Sequence, residues 1–93
     1  MRKPIHGDEL TIRYNGTTLR ATCSEVMENP KRGPGATRVT IVSKVIFHNG
    51  GEAFLLEGPD EIPLKVERVT SMPHKHMNIV SFYGVFEEPV PHA

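Results

Sequence analysis

Cysteine is nearly absent from this chain of 93 residues, which contains only Cys23. One cysteine cannot close a disulfide within the chain, and it cannot supply a C-x-x-C zinc or redox motif. Packing is then the source of stability that the sequence shows. We expect Cys23 to be a small buried residue, because nothing in the neighbouring sequence supports a nucleophile.

Long hydrophobic runs are also missing. The uninterrupted apolar runs are only a few residues long, whereas a helix needs roughly 20 apolar residues to cross a bilayer. The N-terminal stretch MRKPIHGDELTIRY turns polar after two basic residues, so it lacks the apolar region of a secretory signal. We therefore expect no contact with a membrane and a cytoplasmic location.

The common catalytic motifs are absent as well. The sequence contains no G-x-S-x-G, H-E-x-x-H, G-x-G-x-x-G or C-x-x-C. The carboxylates Glu57, Asp60 and Glu61 lie beside Gly58 and Pro59, where they are expected to solvate a turn rather than share a proton. The sequence therefore predicts a protein that is not an enzyme and that uses no cofactor.

What the sequence does contain is an alternation of apolar and polar residues, the pattern of half-buried strands. The stretch ELTIRY alternates in this way and is followed by Asn15 and Gly16, a pair that favours the positive φ angles of a type I′ turn. Residues 9–27 are therefore predicted to form a β-hairpin. A shift in the alternation before Val26 indicates a β-bulge.

Four further runs alternate: TRVTIVSKVIF, EAFLLE, IPLKVERV and MNIVSFYGVFE. The turn residues HNGG predict that the first two of these runs pair as neighbours, and GPDEIP is predicted to interrupt the chain before the third, whose pattern slips at Val69. In the last run, Ile79, Tyr83 and Val85 are predicted on one side of the strand. The opposite side is predicted to hold Val80, Phe82 and Phe86.

Six strand-like runs and no helical spacing predict an all-β domain covering residues 1–93. A small antiparallel barrel, SH3-like or OB-like, is favoured over a compact sandwich because a barrel removes exposed sheet edges. The termini, about residues 1–7 and 88–93, are predicted to be extended. Residues 28–37 contain two prolines and two glycines and are predicted to form a mobile loop.

The pair His74 and His76 is a candidate metal site. Residues at i and i+2 of an extended chain point to the same side, as two ligands of one ion would. The residues that follow supply no carboxylate, and Lys75 between the histidines would oppose a cation. The alternative is a solvated start of a strand that gains charge near pH 6.

The basic loop of residues 28–38 is a second candidate site. Its glycines lie beside lysine and arginine, and such glycines let a backbone approach a phosphate closely. In a small barrel this loop could contact nucleic acid or an acidic protein surface. The predicted partner-binding or nucleic-acid-binding residues are Arg13, Arg20, Lys31, Arg32 and Arg38. The alternative is a solvated connection whose charges only aid solubility.

Charge is unevenly distributed along the chain. Residues 1–47 hold eight lysines and arginines against four acidic residues, and residues 48–93 hold three against seven. The two parts carry about +4 and −4. We expect strands from both parts to neutralise each other in one fold.

Residues 39–47 and 79–86 predict an interface, because they hold more apolar positions than one small core consumes. Its possible members are Val42, Ile46, Phe82 and Phe86. The leading hypothesis is a non-catalytic binding or assembly module that contacts another protein or a second copy through a β surface and the 28–38 loop. Nucleic-acid binding is the first alternative, and metal binding by His74 and His76 is the second.

Overall fold

A computed structural model describes residues 4–86. These residues form six strands: β1 (Glu9–Tyr14), β2 (Thr17–Glu28), β3 (Ala36–Ser43), β4 (Glu52–Glu57), β5 (Asp60–Met72) and β6 (Met77–Val85). Two short 3₁₀ turns, Pro30–Arg32 and Pro73–Lys75, precede β3 and β6. Within the described range no helix is long and apolar enough to cross a membrane.

The strands close into an antiparallel barrel in the order β1-β2-β3-β6-β5-β4. The prediction of an all-β fold built as a small antiparallel barrel is confirmed. Two of its ladders, β1 with β4 and β3 with β6, join strands that are distant along the chain. The sixth strand distinguishes this barrel from the five-stranded OB fold.

The barrel has two walls because β2 and β5 are each long enough to pair with two different strands on one edge and the other. β2 pairs first with β1 and then with β3, while β5 pairs first with β4 and then with β6. We call β1, β4 and the adjoining first parts of β2 and β5 the first wall; β3, β6 and the remaining parts form the second wall. A bulge redirects each long strand between the walls, one between Cys23 and Glu25 and one between Val66 and Arg68.

The chain repeats one three-stranded unit. The β1–β3 half and the β4–β6 half each contain a two-residue hairpin turn, a long bulged strand, a 3₁₀ turn that begins with proline, and a third strand. The bulged residues Ser24 and Glu67 follow the strand starts Thr17 and Asp60 at the same interval. The slips in alternation before Val26 and at Val69 therefore mark equivalent bulges.

The two hairpin turns differ in backbone conformation. Asn15 and Gly16 have φ angles of 51° and 75°, so the type I′ turn predicted for this pair is confirmed. In the second hairpin Gly58 has a φ of 55° and is followed by Pro59. The predicted interruption at GPDEIP is wrong, because only Gly58 and Pro59 separate β4 from β5.

The connection between β3 and β4 also differs from the prediction. HNGG does not form a hairpin between these strands, because β3 lies between β2 and β6 and both of its edges are occupied. The connection, residues 44–51, instead places Phe47 in the core. The Phe47 ring lies 4.4 Å from the Tyr14 ring, centroid to centroid. The backbone N–H of His48 donates a hydrogen bond of 3.0 Å to the Tyr14 hydroxyl.

The core lies inside the barrel and is formed by the residues that point inward, which are about every second residue of each strand. In β6, Val80 and Phe82 are buried, and Phe86 just after the strand is also buried, as their predicted common side requires. The full core consists of Leu10, Ile12, Tyr14, Ala21, Cys23, Val39, Ile41, Phe47, Ala53, Leu55, Ile62, Leu64, Val66, Val80, Phe82 and Phe86.

The N-terminal residues that the structure describes bend through a turn before β1. The N–H of Asp8 donates to the carbonyl of Ile5 at 3.0 Å, and the N–H of Gly7 donates to the carbonyl of Cys23 at 2.8 Å. The remaining residues of the termini predicted to be extended, 1–3 and 88–93, lie outside the described range.

Candidate functional site

The five predicted basic residues do not share one surface. Arg13 on β1 and Arg20 in the first part of β2 lie on the first wall, while Lys31, Arg32 and Arg38 lie in or beside the second wall. Strands β1 and β6 are three strands apart in both directions around the barrel. The structure therefore brings together only the three residues of the β2–β3 region.

The β2–β3 loop is shorter than predicted. β2 continues through Glu28, and β3 begins at Ala36, which is buried. The N–H of Asn29 donates to the carbonyl of Ala36 at 2.8 Å, and the N–H of Phe86 donates to the carbonyl of Gly35 at 2.9 Å. At Gly35, with a φ of 74°, an added Cβ would lie 2.5 Å from the Phe86 carbonyl oxygen. These contacts hold a compact loop close to the end of β6.

A row of outward side chains crosses the second wall beside this loop. The register aligns Met27 of β2 with Arg38 of β3, and Arg38 with Tyr83 of β6. The Arg38 guanidinium lies 3.2 Å from a carboxylate oxygen of Glu25 and 3.3 Å from the sulfur of Met27. The Glu25 carboxylate and the Met27 thioether thus hold the Arg38 guanidinium, which the register places between Met27 and Tyr83.

Arg32 reaches the same row from the 3₁₀ turn. Its guanidinium carbon lies 4.2 Å from the centroid of the Tyr83 ring, a cation–π contact. The same guanidinium donates a hydrogen bond to the carboxylate of Glu67. Glu67 is available because the β5 bulge places it outside the barrel next to Arg68. We call Met27, Arg32, Arg38, Glu67 and Tyr83 the arginine–tyrosine face.

The arginine–tyrosine face borders an open groove of about 410 Å³. Exposed apolar groups lie in and near it, since Met27 is 49% exposed and the outward Val85 is 47% exposed. A neighbouring groove continues over the centre of the wall. There the hydroxyls of Thr40 and Ser81 lie 3.2 Å apart.

All four predicted arginines are engaged by carboxylates. On the first wall the Arg13–Glu61 distance is 2.6 Å and the Arg20–Glu9 distance is 2.7 Å. On the second wall Arg32 pairs with Glu67, and Arg38 pairs with Glu25. Two of the four pairs, Arg13–Glu61 and Arg32–Glu67, join the basic part of the sequence, residues 1–47, to the acidic part, residues 48–93. The expected neutralisation between the two parts therefore accounts for half of these four pairs.

The structure shifts the pKa values of Glu61 and Cys23. The hydrogen bond from Arg13 lowers the pKa of the Glu61 carboxyl. Burial raises the pKa of the Cys23 thiol. Cys23 is fully buried and has no disulfide partner, as predicted from the sequence. A thiol with a raised pKa stays protonated at neutral pH, which makes it a poor nucleophile.

The predicted apolar interface is only partly exposed. Phe82 and Phe86 were wrongly included in it, because they are 0% and 2% exposed inside the barrel. Val42 points outward from β3 and is half-buried, and Ile46 is 70% exposed in the β3–β4 connection. The core consumes the inward residues of these runs, so the apolar surplus is smaller than the composition indicated.

His74 and His76 do not have the geometry that motivated a metal site. They lie in and just after the 3₁₀ turn Pro73–Lys75, and His76 has a left-handed φ of 53°. The assumption of an extended chain, which would align the two rings, is therefore wrong. Across residues 4–86 no group of three or more His, Cys, Asp or Glu side chains is placed to hold a metal ion.

Sequence reasoning missed Met27, Glu67 and Tyr83 as members of the site. The slip at Val69 indicated a bulge nearby, and a bulge places two successive residues on the outside of the sheet. That signal could have identified Glu67 as an outward carboxylate. The contact between Arg32 and Tyr83 had no local signal, because it depends on the pairing of β3 with β6.

Comparisons of this chain with protein-family models, with curated proteins and with solved structures find no match.

Proposed function

We propose that this protein is a non-catalytic binding module that contacts another protein through the arginine–tyrosine face and the β2–β3 loop. The observation that carries the proposal is the Arg32–Tyr83–Arg38 cluster, with Met27 and Val85 half exposed around it. Arginine, tyrosine and methionine are the residue types enriched at the centres of protein interfaces.

The preorganisation of the cluster supports the same proposal. Arg32 is held by Glu67 and the Tyr83 ring, and Arg38 is held by Glu25 and Met27. Side chains that are already ordered lose less conformational entropy when a partner binds. The wall beneath them consists of paired strands, so the contact surface has a rigid support.

Nucleic acid is the second candidate partner. The exposed cations Lys31 and Arg68 lie at the two neighbouring grooves and favour it, since neither has an ion-pair partner within residues 4–86. The engagement of Arg32 and Arg38 by carboxylates favours protein instead, because phosphates would have to displace those carboxylates. For the compartment we propose the cytoplasm, on the basis of the sequence alone.

The test is native mass spectrometry of the protein purified gently from its source, as wild type and as variants of one wall. Tyr83→Ala and Arg38→Ala remove members of the cluster. Val42→Ala and Ile79→Ala are matched controls, because these outward residues lie on the same two strands beyond the Thr40–Ser81 pair.

We expect a co-purifying protein whose apparent affinity falls by roughly 30-fold when Tyr83 is truncated, as for an interface hot spot of about 2 kcal/mol. The control variants should retain it. Equal retention by all four variants would reject the proposed face. A bound mass that nuclease removes and that weakens steeply with salt would assign the surface to nucleic acid.

A further inference from the structure

Strand β2 carries two sulfur atoms that differ in their access to solvent. Cys23 is 0% exposed, whereas Met27 is 49% exposed on the outside of the second wall. Burial also raises the pKa of the Cys23 thiol. A buried, protonated thiol is inert towards oxidants, while a thioether reacts without first losing a proton. An oxidant that meets β2 therefore reacts at Met27.

The other methionines of residues 4–86 are less accessible. Met72 and Met77 are half-buried and lie opposite each other in the β5–β6 ladder. Oxidation of a sulfur-containing side chain depends on its exposure to solvent. Met27 is therefore expected to react before Met72 and Met77.

The contact with Arg38 gives the Met27 sulfur a defined environment. One terminal guanidinium nitrogen of Arg38 lies 3.3 Å from this sulfur and 3.2 Å from a carboxylate oxygen of Glu25. That nitrogen carries two N–H groups, enough for both acceptors. A thioether sulfur is only a weak acceptor, so the N–H that faces Met27 is poorly satisfied. A stronger acceptor at the same place would bind it firmly.

We propose that Met27 is an oxidation site whose sulfoxide is held by Arg38, with hydrogen peroxide as the oxidant. A lone pair of the sulfur attacks one peroxide oxygen, so a sulfur–oxygen bond forms and the oxygen–oxygen bond breaks. The leaving hydroxide takes the proton of the transferred oxygen and departs as water. The sulfur loses two electrons, and the peroxide gains them.

The groove beside Met27 suits both the reagent and the product. It is an open volume of about 410 Å³, so peroxide reaches the sulfur from solvent. Peroxide is small and uncharged, so the charges of Lys31, Glu28 and Glu67 in the lining do not exclude it. The sulfoxide oxygen carries partial negative charge and accepts a charge-assisted hydrogen bond from Arg38.

Oxidation of Met27 would alter the arginine–tyrosine face itself. The reduced side chain offers apolar contact area beside Tyr83, whereas the sulfoxide is polar and keeps one N–H of Arg38 from a partner. The effect on binding rests on the proposed function, but the site and its chemistry do not. Because methionine sulfoxide reductases restore the thioether, the change is reversible.

The first test measures where peroxide reacts. The folded full chain is treated with hydrogen peroxide, sampled over time and digested with trypsin, which places Met27, Met72 and Met77 on separate peptides. We expect Met27 to be half converted while the other two remain largely thioethers. Equal or faster oxidation of Met72 or Met77 would overturn the proposal.

The second test measures whether Arg38 holds the product. The side-chain N–H signals of Arg38 in an NMR spectrum, assigned by their loss in Arg38→Lys, should shift as Met27 is converted and return after treatment with the reductases. The matched control Met72→Leu should show the same shift. In Met27→Leu the signals should not respond to peroxide. An oxidised Met27 with unmoved Arg38 signals, or an unfolded product in a melting curve, would also reject the assignment.

The last test connects the site to the proposed binding. Selective oxidation should lower the apparent affinity for the co-purifying protein at least about tenfold. In Met27→Leu, peroxide should leave the affinity of that variant where it was. Full retention by the oxidised wild type would refute the effect on binding. If no protein co-purifies while Met27 still reacts first and shifts Arg38, the oxidation site stands and only the proposed function fails.

Discussion

The half formed by β1–β3 and the half formed by β4–β6 share a backbone plan but place different side chains outside the second wall. Thr40 and Ser81 face each other at the centre of this wall. To one side of this pair Arg38 stands opposite Tyr83, and to the other side Val42 stands opposite Ile79. A two-fold rotation about the centre would exchange these two rows, yet one is charged and aromatic and the other is aliphatic.

The difference separates features that the barrel needs from features that it does not. Both halves have the bulge that lets the long strand continue into the second wall, the two-residue turn, and a valine in the core, Val39 or Val80. The Arg32–Tyr83 contact joins the two halves and has no counterpart, because the residue of β3 that is equivalent to Tyr83 is Val42. It depends on the longer loop before β3, so it is the part of the second wall that a partner is proposed to use.

The largest expected effect on stability comes from truncating buried side chains of β3 and β6. Ile41 and Phe82 are equivalent and both fully buried, but only Phe82 has an edge contact with Phe47, at a centroid distance of 5.3 Å. Phe82→Ala should lower the free energy of unfolding by about 3–5 kcal/mol. Ile41→Ala should lower it less, near the lower end of the range of about 2–5 kcal/mol that is typical of such truncations. Urea denaturation measures both.

The neighbouring aromatic residue is the control for this pair. Tyr83 points outward, so Tyr83→Ala should cost only about 1 kcal/mol, the size of its cation–π contact. Similar losses at Phe82 and Tyr83 would contradict the assignment of one ring to the core and the other to the surface.

The hairpin turns offer a smaller contrast at equivalent positions. Gly16 has a φ of 75°, whereas its equivalent in the second half is Pro59, whose ring requires a negative φ. Gly16→Ala forces a side chain into the left-handed region and should cost about 1–2 kcal/mol. Pro59→Ala should cost less, about 0.4–1 kcal/mol, because it only frees the unfolded chain. Thermal unfolding of both variants checks the order, and the reverse order would be inconsistent with these turn types.

Cys23 and Val66 are equivalent residues before the two bulges, and exchanging one for the other should alter the dependence of stability on pH. Burial raises the pKa of the Cys23 thiol, so the folded state holds its proton more tightly than the unfolded chain. The associated stability is fully present below the ordinary thiol pKa of about 8.5 and is lost as pH rises above it.

The variant Cys23→Val removes the titrating group and makes the two halves alike at this position. The difference in unfolding free energy between wild type and variant should be constant near neutral pH. In alkaline solution the unfolding free energy of the wild type should fall relative to that of the variant. Denaturant titrations over this range measure the difference. A constant difference throughout would show that the thiol is not protected by burial.

The smallest expected effect concerns the ion pair that joins the two halves on the first wall. The hydrogen bond from Arg13 lowers the pKa of Glu61 in the folded state. The stability that this ion pair contributes is therefore present above the ordinary carboxyl pKa, and it is lost as pH falls through the lowered pKa of Glu61. Arg13→Gln should return the Glu61 pKa to its ordinary range in an NMR titration. Arg20→Gln, which removes the partner of Glu9, should leave Glu61 unchanged.

Local signals in the sequence were sufficient for the strands and for one hairpin. Alternation and the Asn15–Gly16 pair specify β1 and β2 because both depend on residues close along the chain. The order of strands around the barrel was not predictable in this way, since alternation says which face a residue takes and not which strand lies beside it. HNGG therefore resembled a hairpin turn although Phe47 directs the connection into the core.

The candidate site was predictable in part for the same reason. Lys31, Arg32 and Arg38 stand out as a basic loop in the sequence. The acceptors of the two arginines, Glu67 and Glu25, and the ring of Tyr83 come from three different strands. Only the register of the second wall brings those groups together, so the sequence indicated free arginines where the structure has arginines paired with carboxylates.

The β3–β4 connection has a consequence for how copies of this chain can combine. Residues 44–51 are the one covalent link between the two halves, so domain swapping would require this link to straighten. Phe47 would then leave its contacts with Tyr14 and Phe82 and expose a ring that is 2% exposed in the barrel. That exposure would cost about 1.5–3 kcal/mol. The buried ring therefore opposes exchange of halves, and copies that associate are expected to keep their own barrels intact.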